Sequence, residues 1–109
     1  MASYEESYLG QVRKRVGKQQ KLIITGARAV IRDAQHRILF IRRRDNDLWA
    51  LPAGSQELDE SIVDCLEREV KEEAGLEVIS ATPMAIYSHR SIVTAYGDPY
   101  QVFMVQFLV

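Results

Sequence analysis

Three glutamates are spaced so that a single helix face could hold a divalent cation. Glu69, Glu72 and Glu73 stand at i, i+3 and i+4, which places their side chains on one face within about 100° of arc. Like charges in this arrangement repel one another. A hard cation such as Mg²⁺ reverses that effect, because it prefers oxygen ligands. The spacing favours a metal site, while a solvated acidic face remains the ordinary alternative.

The helix that carries these glutamates has clear start and stop signals. Ser61 is a good N-cap, and Asp64 stands three residues later, where its carboxylate can return the capping hydrogen bond. Gly75 can adopt the left-handed conformation that ends a helix. The apolar stripe predicted to face the sheet is Val63, Leu66, Val70 and Ala74. Because Glu73 borders this stripe, we predict that its carboxylate is partly buried.

The segment 54–76, GSQELDESIVDCLEREVKEEAGL, resembles the signature box of the Nudix hydrolases. That box reads Gly, five residues, Glu, seven residues, then Arg-Glu-apolar-any-Glu-Glu-any-Gly-apolar. Every position that the pattern specifies is matched, so the resemblance is highly specific. The upstream RRRDNDLWALPAG is also similar to the loop that precedes the box in this family.

The resemblance implies roles for individual residues. The implied metal ligands are the side chains of Glu69, Glu72 and Glu73 and the backbone carbonyl of Gly54. With these three glutamates, Arg68 would form the catalytic set by orienting them, and Glu60 would support it. The implied cofactor is Mg²⁺ or Mn²⁺.

The implied activity is hydrolysis, by water, of the pyrophosphate link in nucleoside diphosphate derivatives of the ADP-ribose or nucleotide-sugar type. A diphosphate is anionic, so an acidic site needs metal ions to bind it. The alternative is a non-catalytic Nudix-fold module that binds a nucleotide or serves assembly. The resemblance does not identify the catalytic base: Asp98 is the one acidic residue after Glu77.

The predicted fold is α/β (α+β), a Nudix-type mixed sheet sandwiched by helices. We predict an N-terminal helical extension over residues 1–20 and a Nudix domain over 21–109. Within it, RILFIRRR is the predicted strand that returns beside KLIITGARAVIRD. The sequence ends inside the apolar strand YQVFMVQFLV, so the C-terminal helix of the fold is expected to be missing. This strand is predicted to be buried on both faces and to mediate a homodimer, and hydrolysis is expected to be weak.

Composition restricts the partners. The 109 residues carry a net charge of -1, which provides no bulk field toward nucleic acid or anionic membranes. The basic residues between Arg13 and Lys21 are predicted to be the solvated face of the first helix, so nucleic acid is an unlikely partner. No apolar run approaches a membrane span. A single cysteine, Cys65, cannot form an internal disulfide, and the predicted location is the cytoplasm.

Three consecutive arginines precede the box loop. We predict Arg42 and Arg44 as contacts for substrate phosphates, since alternation along a strand sends at least one of the three away from the site. Trp49 is predicted to anchor the loop or enter the core rather than stack on a base.

Overall fold

The structure is a computed structural model that describes residues 4–44, 46–93 and 97–109. Helix α1 (Tyr8–Val16) follows a 3₁₀ turn at Tyr4–Glu6, and helix α2 (Ile62–Ala74) carries the acidic segment. The strands in chain order are β1 (Leu22–Val30), β2 (Ile41–Arg42), β3 (Trp49–Ala50), β4 (Ala53–Ser55), β5 (Thr82–Val93) and β6 (Pro99–Leu108). The mixed α+β architecture is as predicted.

Four of the strands form a mixed sheet in the order β4-β1-β6-β5. β6 pairs in parallel with β1, while β5 and β4 run antiparallel to their neighbours. The predicted last strand is therefore an inner strand, and both of its hydrogen-bonding edges are occupied. A partner could reach β6 through a face of the sheet or by strand exchange, but not by pairing at a free edge.

The prediction that RILFIRRR returns beside KLIITGARAVIRD holds only next to the turn. Just after β1, Arg32 bridges Ile38 and the Leu39 N–H donates to the Ile31 carbonyl at 2.9 Å, but farther along only Ile41–Arg42 forms a strand, which pairs with β3. The reason is competition for the edges of β1, which are taken by β4 and β6. β4, predicted as loop, lies directly before the acidic helix and joins it to the sheet.

Helix α2 packs on one face of the sheet through Leu66, Val70 and Cys65, which are essentially buried. Their partners are Ala27 and Ala29 of β1 and Phe107 of β6. The prediction that Val63 belongs to this stripe is wrong, because its side chain is 42% exposed. Cys65 takes that place in the core.

The prediction that β6 is buried on both faces holds for only part of the strand. Tyr100, Val102 and Phe107 are buried, whereas Phe103 is 41% exposed. The strand register places Phe103 on the face that α2 covers, beyond the end of the helix, near the exposed side chains of Ile23 and Ile86. These three residues define an apolar patch across three strands.

The predicted N-terminal helix is confirmed as α1, with Ser7 as its N-cap and Gly17 as its C-cap. Arg13, predicted to be solvated, is buried instead. Neither helix in the described part of the chain has the length and apolar character needed to cross a membrane.

Candidate active site

The ends of α2 fix the direction of its acidic face. Ser61 and Asp64 form the predicted capping box, in which each side chain accepts a hydrogen bond from the other residue's backbone N–H. Gly75 ends the helix in the left-handed conformation, at φ 68°. Both ends are therefore set by local interactions that are independent of any ligand.

Arg68 holds several carboxylates together. Its guanidinium donates to both oxygens of Glu60, at 2.6 and 2.9 Å, and to Glu69 Oε1 at 2.7 Å. A longer contact of 3.5 Å reaches Glu72, and Nη2 also donates to the Ser55 carbonyl at 2.9 Å. The hydrogen bonds from Arg68 hold the pKa of Glu60 below its ordinary value. The resemblance implied this arrangement, in which Arg68 orients Glu69 and Glu60 supports Arg68.

Glu69 and Glu73 are half-buried neighbours whose carboxyl groups interact with each other. Burial, with the negative charge of Glu69, raises the pKa of Glu73 to about 7, although Glu73 Oε2 accepts a hydrogen bond from the Ala53 N–H at 3.0 Å. Burial also raises the pKa of Glu69, against the opposing effect of Arg68. These carboxylates therefore stand in surroundings with too little positive charge to keep both ionised easily.

Two glycines allow β1, β4 and α2 to approach closely at this point. A Cβ on Gly54 would lie 2.0 Å from the carboxyl carbon of Glu69. A Cβ on Gly26 would lie 2.1 Å from the Gly54 carbonyl oxygen, which also lies 3.6 Å from Cys65 Sγ. Only glycine allows the Glu69 carboxylate to rest on the β4 backbone.

The donor set fits a hard divalent cation in kind, since it comprises carboxylate oxygens and a nearby carbonyl. In the described ranges, however, no three His, Cys, Asp or Glu side chains are gathered closely enough to hold a metal ion. Glu69 and Glu73 face each other, while Glu72 is directed to Arg68. The ligand roles of Glu69, Glu72, Glu73 and Gly54 therefore stay predictions.

A cleft with a volume of about 530 Å³ lies on the face of the sheet opposite α2. Its lining includes Arg43 and Ser55, and the Ser55 carbonyl accepts a hydrogen bond from Arg68. The positive charge of Arg43 acts on Glu73 and offsets part of the rise in its pKa. The remaining lining includes Tyr4, Leu9, Ile24, Arg28, Tyr87, Tyr100, Val102 and Met104. Arg43 and Ser55 thus connect the cleft to the acidic cluster through a charge interaction and a hydrogen bond.

Of the three consecutive arginines, Arg43 is the one that lines the cleft. Arg42 makes a bidentate pair with Asp47, with both contacts at 2.7 Å, and Arg44 is exposed. Alternation along the strand signals that Arg43 points away from both neighbours, but it cannot say which side faces the site. The phosphate roles proposed for Arg42 and Arg44 stay predictions, and the structure adds Arg43 as a candidate.

The solvent exposure of Trp49 and Asp98 bears on two other predictions. Trp49 is 67% exposed, so its predicted role as a core or loop anchor is wrong. Asp98 is buried beside Arg13, with 3.6 Å between Arg13 Nε and Asp98 Oδ2. This ion pair gives Asp98 a structural reason to be present.

The family profile described as "NUDIX domain" matches residues 23–108, which include the acidic helix and all four strands of the sheet. The chain belongs to the Nudix family. Among Nudix relatives, it is 34% identical over 82 residues to an ADP-ribose pyrophosphatase of Methanocaldococcus jannaschii, covering 71% of this chain and 48% of that protein.

Two further relatives show the breadth of the family. The m7GpppN-mRNA hydrolase of Saccharomyces cerevisiae is 30% identical over 88 residues, which cover 81% of this chain and 9% of that protein. A crystal structure of a MutT protein from Methanosarcina mazei superposes with a TM-score of 0.60 at 26% identity, covering 83% of this chain and 67% of that one. The chain thus spans less than half the length of both sequence relatives.

Proposed function

We propose that this Nudix chain hydrolyses the pyrophosphate link of nucleoside diphosphate derivatives. The observation that carries the proposal is the half-buried pair Glu69 and Glu73, whose pKa values are raised, linked through Arg43 to a cleft large enough for a small molecule. Two desolvated carboxylates beside each other are unfavourable unless a cation offsets them. A catalytic metal site explains why the chain retains them.

The proposed cofactor is Mg²⁺ or Mn²⁺, held by Glu69, Glu72, Glu73 and the Gly54 carbonyl. When bound, such an ion supplies positive charge for the diphosphate and lowers the pKa of water. Arg68 holds Glu69 and Glu72 on one side of the helix, and the Glu60 carboxylate fixes Arg68 in turn. Their contribution is preorganisation of the carboxylates before substrate arrives.

The cleft supports the proposed substrate class. Arg43 lines the cleft and its positive charge acts on Glu73, so its guanidinium is available to contact a phosphate there. Farther along, the lining becomes apolar and aromatic, with Ile24, Met104 and Tyr87. A charged end beside an apolar, aromatic end matches a diphosphate joined to a nucleoside. The relative named ADP-ribose pyrophosphatase supports ADP-ribose or a nucleotide sugar as the first substrates to test.

The direct test is a panel of nucleoside diphosphate derivatives assayed with Mg²⁺ and with Mn²⁺. Glu69→Gln removes one carboxylate charge at nearly constant shape and should lower kcat at least about 100-fold. Glu67→Gln is the matched control, because Glu67 lies on the exposed side of the same helix and should leave kcat almost unchanged. Equal losses in the two variants would contradict the assigned site.

A second candidate is a non-catalytic nucleotide-binding module. The observation in its favour is that Glu72 faces Arg68 and no three ligands are gathered in the described residues. Nucleotide binding without turnover of any panel member, under both metals, would favour this reading over the hydrolase.

We also propose that the chain forms a twofold homodimer through the apolar patch Ile23, Ile86 and Phe103. These side chains cross three strands on one face, so a second copy could bury the same patch on both subunits. Phe103→Glu should shift the mass in light scattering from dimer to monomer. Ile79→Glu, at a side chain that is 97% exposed outside the patch, should not. A wild-type monomer at tens of micromolar would overturn this proposal.

The proposed location is the cytoplasm. The one cysteine of the chain, Cys65, is a free and fully buried thiol in the core. Such a residue suits a reducing compartment.

A further inference from the structure

Helix α1 is fastened to the sheet by one buried arginine. Arg13 is only 6% exposed and donates to the Pro99 carbonyl at 2.7 Å and to the Tyr100 hydroxyl at 3.2 Å. It also donates to the carbonyls of Gly17 and Gln20, which closes the end of its own helix. A guanidinium with this many acceptors fixes the position and the direction of α1.

A second anchor joins the other end of α1 to the Nudix box. The Glu57 carboxylate accepts a hydrogen bond from the Tyr8 N–H at 2.8 Å, one of the backbone donors that the first turn of a helix leaves without a helical partner. The Glu57 N–H in turn donates to Glu60 Oε1 at 3.0 Å, and Glu60 pairs with Arg68. A continuous hydrogen-bonded path therefore connects α1 to the arginine that holds the acidic cluster.

The anchored segment faces the cleft. Tyr4 and Leu9 belong to its lining, together with Arg28 and Tyr87 from the sheet. The Arg28 guanidinium lies 4.4 Å from the centre of the Tyr87 ring, and its Nε donates to Gln106 at 2.9 Å. These contacts hold the Arg28 guanidinium and the Tyr87 ring in place, and the two groups form a flat surface on the floor of the cleft.

We propose that residues 4–13 are a wall of the substrate cleft and determine how tightly the nucleoside part of the substrate is held. Tyr4 and Leu9 supply the contacts on this wall, while Arg13 and Glu57 are positioning residues that keep it in place. A planar base fits such a site, because aromatic side chains and guanidinium planes stack on any base. The inference rests on the proposed function, since it assigns a place to the nucleoside of that substrate.

A purely structural role would place the apolar side chains of α1 in a sealed core. Tyr4 instead remains 53% exposed, and its ring borders the open cleft. The 3₁₀ turn before α1 thus presents an exposed aromatic ring at the cleft, where a ligand can contact it.

The test compares Tyr4→Ala and Leu9→Ala with Val16→Ala, an exposed position of the same helix that lies outside the cleft lining. Two substrates are used: ADP-ribose and ribose 5-diphosphate, which lacks the base. Tyr4→Ala should raise KM for ADP-ribose about tenfold, with kcat nearly unchanged and KM for ribose 5-diphosphate unaltered. Equal KM changes for the two substrates, or an equal change in Val16→Ala, would overturn the proposal.

A binding measurement separates this inference from the hydrolase assignment. Calorimetric titration of the full chain with ADP measures the contribution of this wall to nucleotide affinity, even if no substrate is turned over. About tenfold weaker ADP binding by Tyr4→Ala, with an unchanged melting temperature, supports the wall whatever the activity. Identical affinities in wild type and Tyr4→Ala, or no ADP binding by wild type at millimolar concentration, would contradict it.

Discussion

Arg13 and Arg68 are the centres of two polar clusters that differ in their balance of charge. Arg13 is nearly buried and is met by backbone carbonyls, a tyrosine hydroxyl and one carboxylate, Asp98. One positive and one negative charge are surrounded by neutral acceptors. The two opposite charges of this cluster balance each other within the protein.

Arg68 faces three carboxylates, those of Glu60, Glu69 and Glu72, and Glu73 stands next to Glu69. Negative charge therefore exceeds positive charge, and the pKa values of Glu69 and Glu73 are raised as a result of their burial in this setting. The contrast shows how to separate the two roles: balanced charge marks a structural anchor, whereas uncompensated charge at a cleft marks a site that awaits a ligand.

The largest expected effect concerns the balanced cluster. Arg13→Met leaves the Asp98 carboxylate buried beside an apolar side chain, so the free energy of unfolding should fall by about 3–5 kcal/mol. Arg15→Met, on an exposed face of the same helix, should change it by less than about 0.5 kcal/mol. Urea denaturation followed by circular dichroism measures both values. Similar values for the two variants would show that Arg13 is not an anchor.

The unbalanced cluster should respond to pH in the opposite sense from an ordinary carboxylate. The pKa of Glu73 is about 7 in the folded chain, against an ordinary value of 4.5, so the protonated form is favoured by folding. Its contribution to stability is complete below about pH 4.5 and is lost as pH rises through about 7.

Divalent ions should reverse this trend, because they bind the ionised carboxylates. The increase in melting temperature caused by Mn²⁺ should grow between about pH 5.5 and about pH 8. Glu73→Gln should weaken the pH dependence of stability in the metal-free protein, and the raised pKa of Glu69 should account for part of what remains. A metal-induced shift that stays constant over this range would place the titrating group elsewhere.

The smallest expected effect concerns the neighbouring arginines. Arg43→Ala should raise KM for a diphosphate substrate about tenfold, because the side chain lines the cleft beside Glu73. Arg42→Ala breaks only an exposed pair with Asp47 and should cost less than about 1 kcal/mol of stability, with KM unchanged. Steady-state kinetics on both variants shows which arginine contacts the substrate. A larger increase in KM for Arg42→Ala than for Arg43→Ala would contradict the choice of Arg43.

Local patterns in the sequence predicted the parts of this molecule that depend on local interactions. The capping signals at Ser61 and Gly75 and the spacing of the glutamates were sufficient to define α2 and its acidic face. Long-range choices were not visible. No local sequence pattern shows that β1 pairs with β4 and β6 rather than with RILFIRRR. The register of a strand and the choice of its partners depend on the whole sheet.

Arg13 is the clearest example of a missed residue. In the linear sequence it stands in a basic run with Lys14 and Arg15, which are exposed. Its burial depends on Pro99 and Tyr100, more than 80 residues away. Arg43 was ambiguous for a related reason: alternation separates it from Arg42 and Arg44 but does not say which side meets the cleft.

The central claim is that the acidic cluster of α2 is a divalent-metal site, and calorimetric titration of the chain with Mn²⁺ tests it most directly. Wild type and Glu67→Gln should bind Mn²⁺ with the same affinity and release protons on binding, because raised carboxyl pKa values must be overcome. Glu69→Gln should bind at least about tenfold more weakly. No heat of binding at millimolar Mn²⁺, or equal affinity in Glu69→Gln and wild type, would contradict the account.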